Sequence, residues 1–350
     1  MSESTPVFPV DLDGGRPQPV WEIRRPRPRW WLYGLFFFLT MLSTTLVGAH
    51  MEFNFVSRLP VFAMDDDLGV FLTGIGRQPS GLLAGLPFSL TLMFILLAHE
   101  MGHYLYARHY HVYATPPFFI PFPSLFGTLG AFIRIKSPIP SRDALFDIGI
   151  AGPITGFVPS CVAVCFGLLH SQPLGHGATA AGTQLGSLPL IFHAAKVILH
   201  TRAPLSSLSL HPIAAAGWVG MFATAMNLLP GGQLDGGHIL YSVVPRLHRW
   251  ISLATVFALI VLAKYFWVGW LLWSVVLYLT SYHPPLPRPR TVSAGRKSVA
   301  FCGVVMLALA FTPEPLAGGS GREVWPYVRD GTRDTLREFR DGVRHRLHRR

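Results

Sequence analysis

Six runs of mostly apolar residues constrain this chain more than any other feature. They cover residues 30–48, 81–107, 145–169, 212–229, 239–263 and 266–282. A helix needs about 20 such residues to cross the hydrocarbon core, where backbone groups find no water. Two further stretches, 185–199 and 299–311, are shorter and weaker. Only 13% of the residues are charged, about half the ~25% of a soluble domain. Half the chain is hydrophobic, which excludes disorder. Gly contributes 34 residues with no period of three, which excludes a collagen-like chain. Three Cys exclude a disulfide scaffold. The expected fold is an all-α polytopic membrane protein with about six to eight transmembrane helices.

Lys and Arg mark cytoplasmic flanks. Arg24, Arg25, Arg27 and Arg29 precede the first run, and Asp65, Asp66 and Asp67 follow it. The N-terminus is therefore expected inside and the acidic loop outside. The second run then ends inside, beside Arg108, and Arg134, Lys136 and Arg142 follow on the same side. Alternation also places Arg288, Arg290, Arg296 and Lys297 inside. The basic tail falls outside if 299–311 spans, against the charge rule.

The chain divides into a polar, Pro-rich leader (1–28), a first span with its external loop (29–80), a core carrying the chemistry (81–245), further spans (246–315) and a basic tail (316–350). The first run starts too late and is too long for a cleavable signal peptide. The formal net charge of +11 reflects loop and tail Arg, so nucleic acid is not an expected partner. The lipid bilayer is an expected partner.

The second run ends in His99-Glu100-Met101-Gly102-His103. Residues four apart share one helix face, so His99 and His103 can chelate one ion. Glu100 stands beside them as a general base for water at the metal. Ionisable residues inside an apolar span are costly and point to function. A catalytic zinc site takes three protein ligands and leaves one position open. Between Met101 and Pro313 the carboxylates are Asp143, Asp147 and Asp235. Asp143 reads as a helix cap or a partner of Arg142. Asp147 suits a helix N-terminus. Asp235 lies in Asn227-Leu228-Leu229-Pro230-Gly231-Gly232-Gln233-Leu234-Asp235-Gly236-Gly237. That break in an apolar run is tolerated at membrane depth where it lines a cavity. Asp235 is therefore the expected third ligand, with His238 the competing candidate.

Prolines at 116, 117, 121 and 123 forbid a helix between the second and third runs. The segment 131–136 alternates at the strand period. A short hairpin dipping into the membrane is expected, with an edge open to an unwound substrate. Small residues at Gly152 and Gly156 should let the third span pack closely on the metal-site helix.

These residues resemble the site-2 protease family of intramembrane zinc metalloproteases. The resemblance rests on His99-Glu100-Met101-Gly102-His103, on Gly149-Ile150-Ala151-Gly152-Pro153, and on Asn227-x-x-Pro230-x-x-x-x-Asp235-Gly236, in that order. It covers roughly 80–245 and is nearest to the bacterial and plastid branch without a PDZ module. It implies Zn2+ held by His99, His103 and Asp235, Glu100 as the catalytic base, and Asn227 binding the substrate. It also implies peptide-bond hydrolysis within or near the transmembrane helix of a transmembrane protein substrate. The expected location is a bacterial cytoplasmic membrane, and the charge pattern puts the opening of the site toward the cytoplasm. The alternative is a non-proteolytic membrane metal-binding protein or transporter.

Overall fold

A computed structural model describes residues 6–7, 20–21, 29–63, 79–175, 185–284, 286, 292–317 and 319–326. Most of the leader, the Asp65 to Asp67 loop and residues 327–350 lie outside the described residues.

The helices are α1 (Trp30–Val56), α2 (Leu86–His109), α3 (Arg142–His170), α4 (Leu190–Ile198), α5 (Pro212–Leu228), α6 (Asp235–Val243), α7 (His248–Tyr265), α8 (Trp270–Leu279) and α9 (Ala294–Ala310). A 3-10 turn, Pro79–Gly85, leads into α2. Among the described residues, four helical segments are long and apolar enough to cross a membrane: Trp30–Val56, Ser80–His109, Arg142–His170 and His248–Tyr265. Helices α5 and α8 are apolar but shorter.

Two expected segments are redrawn. The run 239–263 is two helices, α6 and α7, and not one span. Pro245 divides them, because its ring and missing N–H do not fit a helix interior. The stretch 185–199 forms only the nine-residue α4, about 13 Å long at 1.5 Å per residue, so it does not cross.

Helix α9 packs against α3, α4, α5 and α6. At its start Arg296 meets Asp147 in the first turns of α3. In its middle Gly303 faces Ile150. Just past its end Thr312 and Ser187 share a hydroxyl contact of 2.6 Å. It starts five residues before the apolar run because Arg296 and Lys297 stand in its first turn at the basic end.

The expected hairpin is present. Strands β1 (Phe118–Pro121) and β2 (Thr128–Phe132) pair antiparallel, with Phe118 opposite Phe132. Pairing resumes at the base, where Thr115 N–H donates to the Arg134 carbonyl at 2.9 Å. The hairpin packs on protein, as an edge inside a membrane must. The Phe118 ring packs tilted against Phe36 at 4.8 Å between centroids, and the Ser43 hydroxyl donates to the Gly127 carbonyl at 2.6 Å. Gly127 has φ +76° and comes so near α1 that a Cβ would lie 2.7 Å from the Ser43 carbonyl, so the turn there requires glycine.

The core lies between α2, α3 and α5. Leu92, Val164, Ala214 and Trp218 are fully buried there. Gly102 of α2 sits against Ala151 and Thr155 of α3, and the Thr155 hydroxyl donates to the Ala98 carbonyl at 2.9 Å. The small residues of α3 thus press it onto the helix that carries His99 and His103, as expected.

Candidate metal centre

His99, Glu100 and His103 stand near the C-terminal end of α2, each only 7% exposed. His99 and His103 project together because four residues make about one turn. Their Nε2 atoms lie 3.2 Å apart. The break after α5 brings the third group. Helix α5 ends at Leu228, Pro230 and two glycines turn the chain, and α6 starts at Asp235 itself. Asp235 therefore occupies the first turn of a short helix and not the break. Gly236 and Gly237 let that turn lie against the backbone of Leu228 and Gly231, where side chains would collide. Asp235 Oδ2 lies 3.4 Å from His99 Nε2 and 3.2 Å from His103 Nε2. One ligand atom from each of the three residues falls within 4.8 Å of the others.

The protonation pattern suits a cation. His103 Nδ1 lies 2.7 Å from the Ile148 carbonyl oxygen. A carbonyl only accepts, so Nδ1 carries a proton, and the neutral ring then has its lone pair on Nε2. That lone pair, a carboxylate oxygen and a second imidazole nitrogen converge on one point. Two imidazoles and one carboxylate form a set that zinc takes with a further position open.

Helix α3 shapes the floor. A Cβ on Gly152 would overlap the His103 imidazole, and one on Gly156 would lie 2.9 Å from His99 Nδ1. The sequence pattern signals close helix packing at both glycines, but not that they seat the two imidazoles.

The remaining candidates separate. Asn227 Nδ2 lies 3.2 Å from His99 Nε2, at the edge of the site. His238 turns to His283, with Nδ1 to Nε2 at 3.1 Å, outside the convergent set. Asp143 is not the α3 cap. Ser141 caps α3 by accepting from Ala144 N–H, and Asp143 faces Arg296 at 3.4 Å. Asp147 also pairs with Arg296, with Nη2 to Oδ2 at 2.7 Å.

A cavity of about 260 Å³ opens beside the site, lined by His99, Glu100, Asn227 and by Thr128 to Ala131 of β2. The Ile133 backbone amide, one residue past β2, faces the Glu100 carboxylate. The hairpin thus forms one wall and the metal-site helix another.

The chain is similar to several known proteins. The model of Peptidase family M50 matches residues 87–268. The probable zinc metalloprotease EGY1, chloroplastic, of Oryza sativa subsp. japonica is 30% identical over 307 residues, 83% of this chain and 52% of that protein. Its Arabidopsis thaliana counterpart is 30% identical over 243 residues, 66% of this chain and 43% of the relative. The probable zinc metalloprotease EGY2, chloroplastic, of Arabidopsis thaliana is 28% identical over 237 residues, 67% of this chain and 42% of the relative. The chain spans about half the length of these curated relatives. The matched segment contains all three converging groups and more than half of the chain, and this membrane protein belongs to peptidase family M50.

Proposed function

We propose that this chain is an intramembrane zinc metalloendopeptidase that hydrolyses a peptide bond within or near the transmembrane helix of a membrane-protein substrate. His99, His103 and Asp235 hold the zinc, Glu100 is the general base, and Asn227 binds the reacting group. The observation that carries this reading is the convergence of three ligand atoms beside Glu100 on a helix apolar enough to span a membrane.

Zinc, when bound, supplies a Lewis acid that lowers the pKa of water and polarises the scissile carbonyl. The chain's own residues do the rest. Glu100 takes a proton from the attacking water as its oxygen bonds to the carbonyl carbon. It returns that proton to the amine nitrogen as the C–N bond breaks. The Asn227 side-chain N–H donates to the oxyanion that develops during attack. The substrate unwinds locally, because a helix holds its carbonyls in its own hydrogen bonds. The edge of β2 along the cavity offers backbone partners to the unwound segment. Residues 81–245 form the catalytic core.

The site opens toward the cytoplasm. Arg108, Arg134, Lys136 and Arg142 cluster at the end of α2 that carries the motif. His103 stands six residues from the end of α2, which puts the metal about 10 Å inside that face. The membrane is the cytoplasmic membrane of a bacterium.

The test is cleavage of a model transmembrane substrate by purified protein, with and without a zinc chelator. Cleavage that zinc restores supports the reading. Full zinc binding without any cleavage, across several transmembrane substrates, would favour a non-proteolytic metal protein.

A further inference from the structure

Arg296 lies outside the segment that matches the family, yet it touches the C-cap of α2 and the first turns of α3. Its Nε reaches Asp147 Oδ1 at 2.8 Å and its Nη2 reaches Oδ2 at 2.7 Å. This is a two-pronged guanidinium–carboxylate contact, which fixes direction as well as distance. Nη2 also donates to the Tyr110 hydroxyl at 3.2 Å, and Tyr110 donates in turn to Asp147. Nη1 lies 3.4 Å from Asp143.

These partners are placed one step from the imidazole of His103. Tyr110 is the C-cap of α2, the helix that carries His103. Asp147 directly precedes Ile148, whose carbonyl accepts from His103 Nδ1 at 2.7 Å. One guanidinium therefore ties the end of the ligand helix to the turn of α3 that orients the ligand.

We propose that Arg296 is a positioning residue for the metal ligand His103, acting through Asp147 and the Ile148 carbonyl. This rests on the reading of His99, His103 and Asp235 as the metal ligands. The tolerance is small. Backbone atoms sit roughly 2.3 Å from a helix axis, so turning the start of α3 by about 20° moves a carbonyl by ~0.8 Å. That displacement takes a 2.7 Å bond beyond the roughly 3.2 Å limit of a good hydrogen bond. Without its partner the imidazole is free to turn and its Nε2 becomes a weaker ligand, because the bond on the second nitrogen sets both orientation and basicity. The fork geometry makes Lys an incomplete substitute, since an ammonium cannot hold both carboxylate oxygens and the tyrosine in one plane.

Zinc release from the full-length protein to a colorimetric chelator tests this, with thermal unfolding of the same samples. Arg296→Ala is expected to release zinc about tenfold faster, the lower end of the loss found for partners of metal ligands. Asp147→Asn, close in shape to the parent, is expected to do the same. The double variant should be no faster than either single, because all three changes break one contact. Arg296→Lys should fall between Ala and the parent. Parental release from both Arg296→Ala and Asp147→Asn, whatever their melting temperatures, would reduce Arg296 to a helix fastener and overturn the proposal. So would effects that add in the double variant. Asp235→Ala is the control on the underlying reading. If it keeps zinc with parental release, the ligand assignment itself falls, and this inference with it.

Discussion

Gly152 lies directly beneath the His103 imidazole, in space that a single added methyl group would take from the ring. The two imidazoles are therefore set by two helices at once: α2 supplies them and α3 supplies the room for them. Gly152→Ala is expected to displace His103 and remove most bound zinc. Overpacking a tight interface typically costs about 1–3 kcal/mol, so the bundle should survive with a lower melting temperature. Gly156→Ala, with a contact of 2.9 Å to His99, should weaken zinc binding less. Metal content after dialysis checks both, and parental zinc in Gly152→Ala would contradict the account.

Glu100→Gln is expected to keep zinc and the fold but to lose at least about 10²–10⁴-fold in cleavage, the contribution typical of a positioned acid–base group. The amide matches the carboxylate in shape and cannot take a proton. Near-parental turnover would remove Glu100 from the chemistry.

Asp235→Ala is expected to lose zinc, because the remaining set is two imidazoles. Asp147→Asn should stay fully occupied when zinc is in excess, since Asp147 reaches Arg296 and not the convergent atoms. Elemental analysis of both proteins separates them. Equal zinc in the two would shift the third-ligand role elsewhere.

Asn227→Ala is expected to lower kcat by about 10²–10³-fold with little change in bound zinc, as for loss of one oxyanion donor. A change confined to KM would assign the residue to substrate binding away from the reacting carbonyl.

The orientation is open to chemical labelling. His109 is exposed in the last turn of α2. With Cys161, Cys165 and Cys302 replaced, His109→Cys should react with a membrane-impermeant thiol reagent only when the cytoplasmic face is accessible. Modification in intact cells from outside would invert the topology and the side of cleavage.

The candidate site was more legible than the fold around it, for a physical reason. His99 and His103 meet through local helix spacing, and Asp235 stands out because carboxylates are rare in this apolar stretch and a Pro-Gly break precedes it. The hairpin followed from prolines that deny a helix and from strand-period alternation. Hydropathy alone hid the division at Pro245, since apolar residues flank it on both sides. It also clipped α9, whose first turn carries Arg296 and Lys297. The pairing of Arg296 with Asp147 spans 149 positions, and no local pattern can announce a contact at that separation. The same holds for the fit of Gly152 under His103, which depends on the rotation of two helices about their axes.

The close seam between α2 and α3 also bears on the lipid around the protein. A bilayer that is too thin makes spanning helices tilt, and independent tilts would pull the imidazoles of α2 off their seats on α3. Gly102 against Ala151, Gly152 under His103 and Gly156 under His99 leave α2 and α3 no room to slide past one another. The pair must lean as one body when membrane thickness changes. Acyl-chain length should therefore alter access to the cavity while leaving His99 and His103 seated on α3.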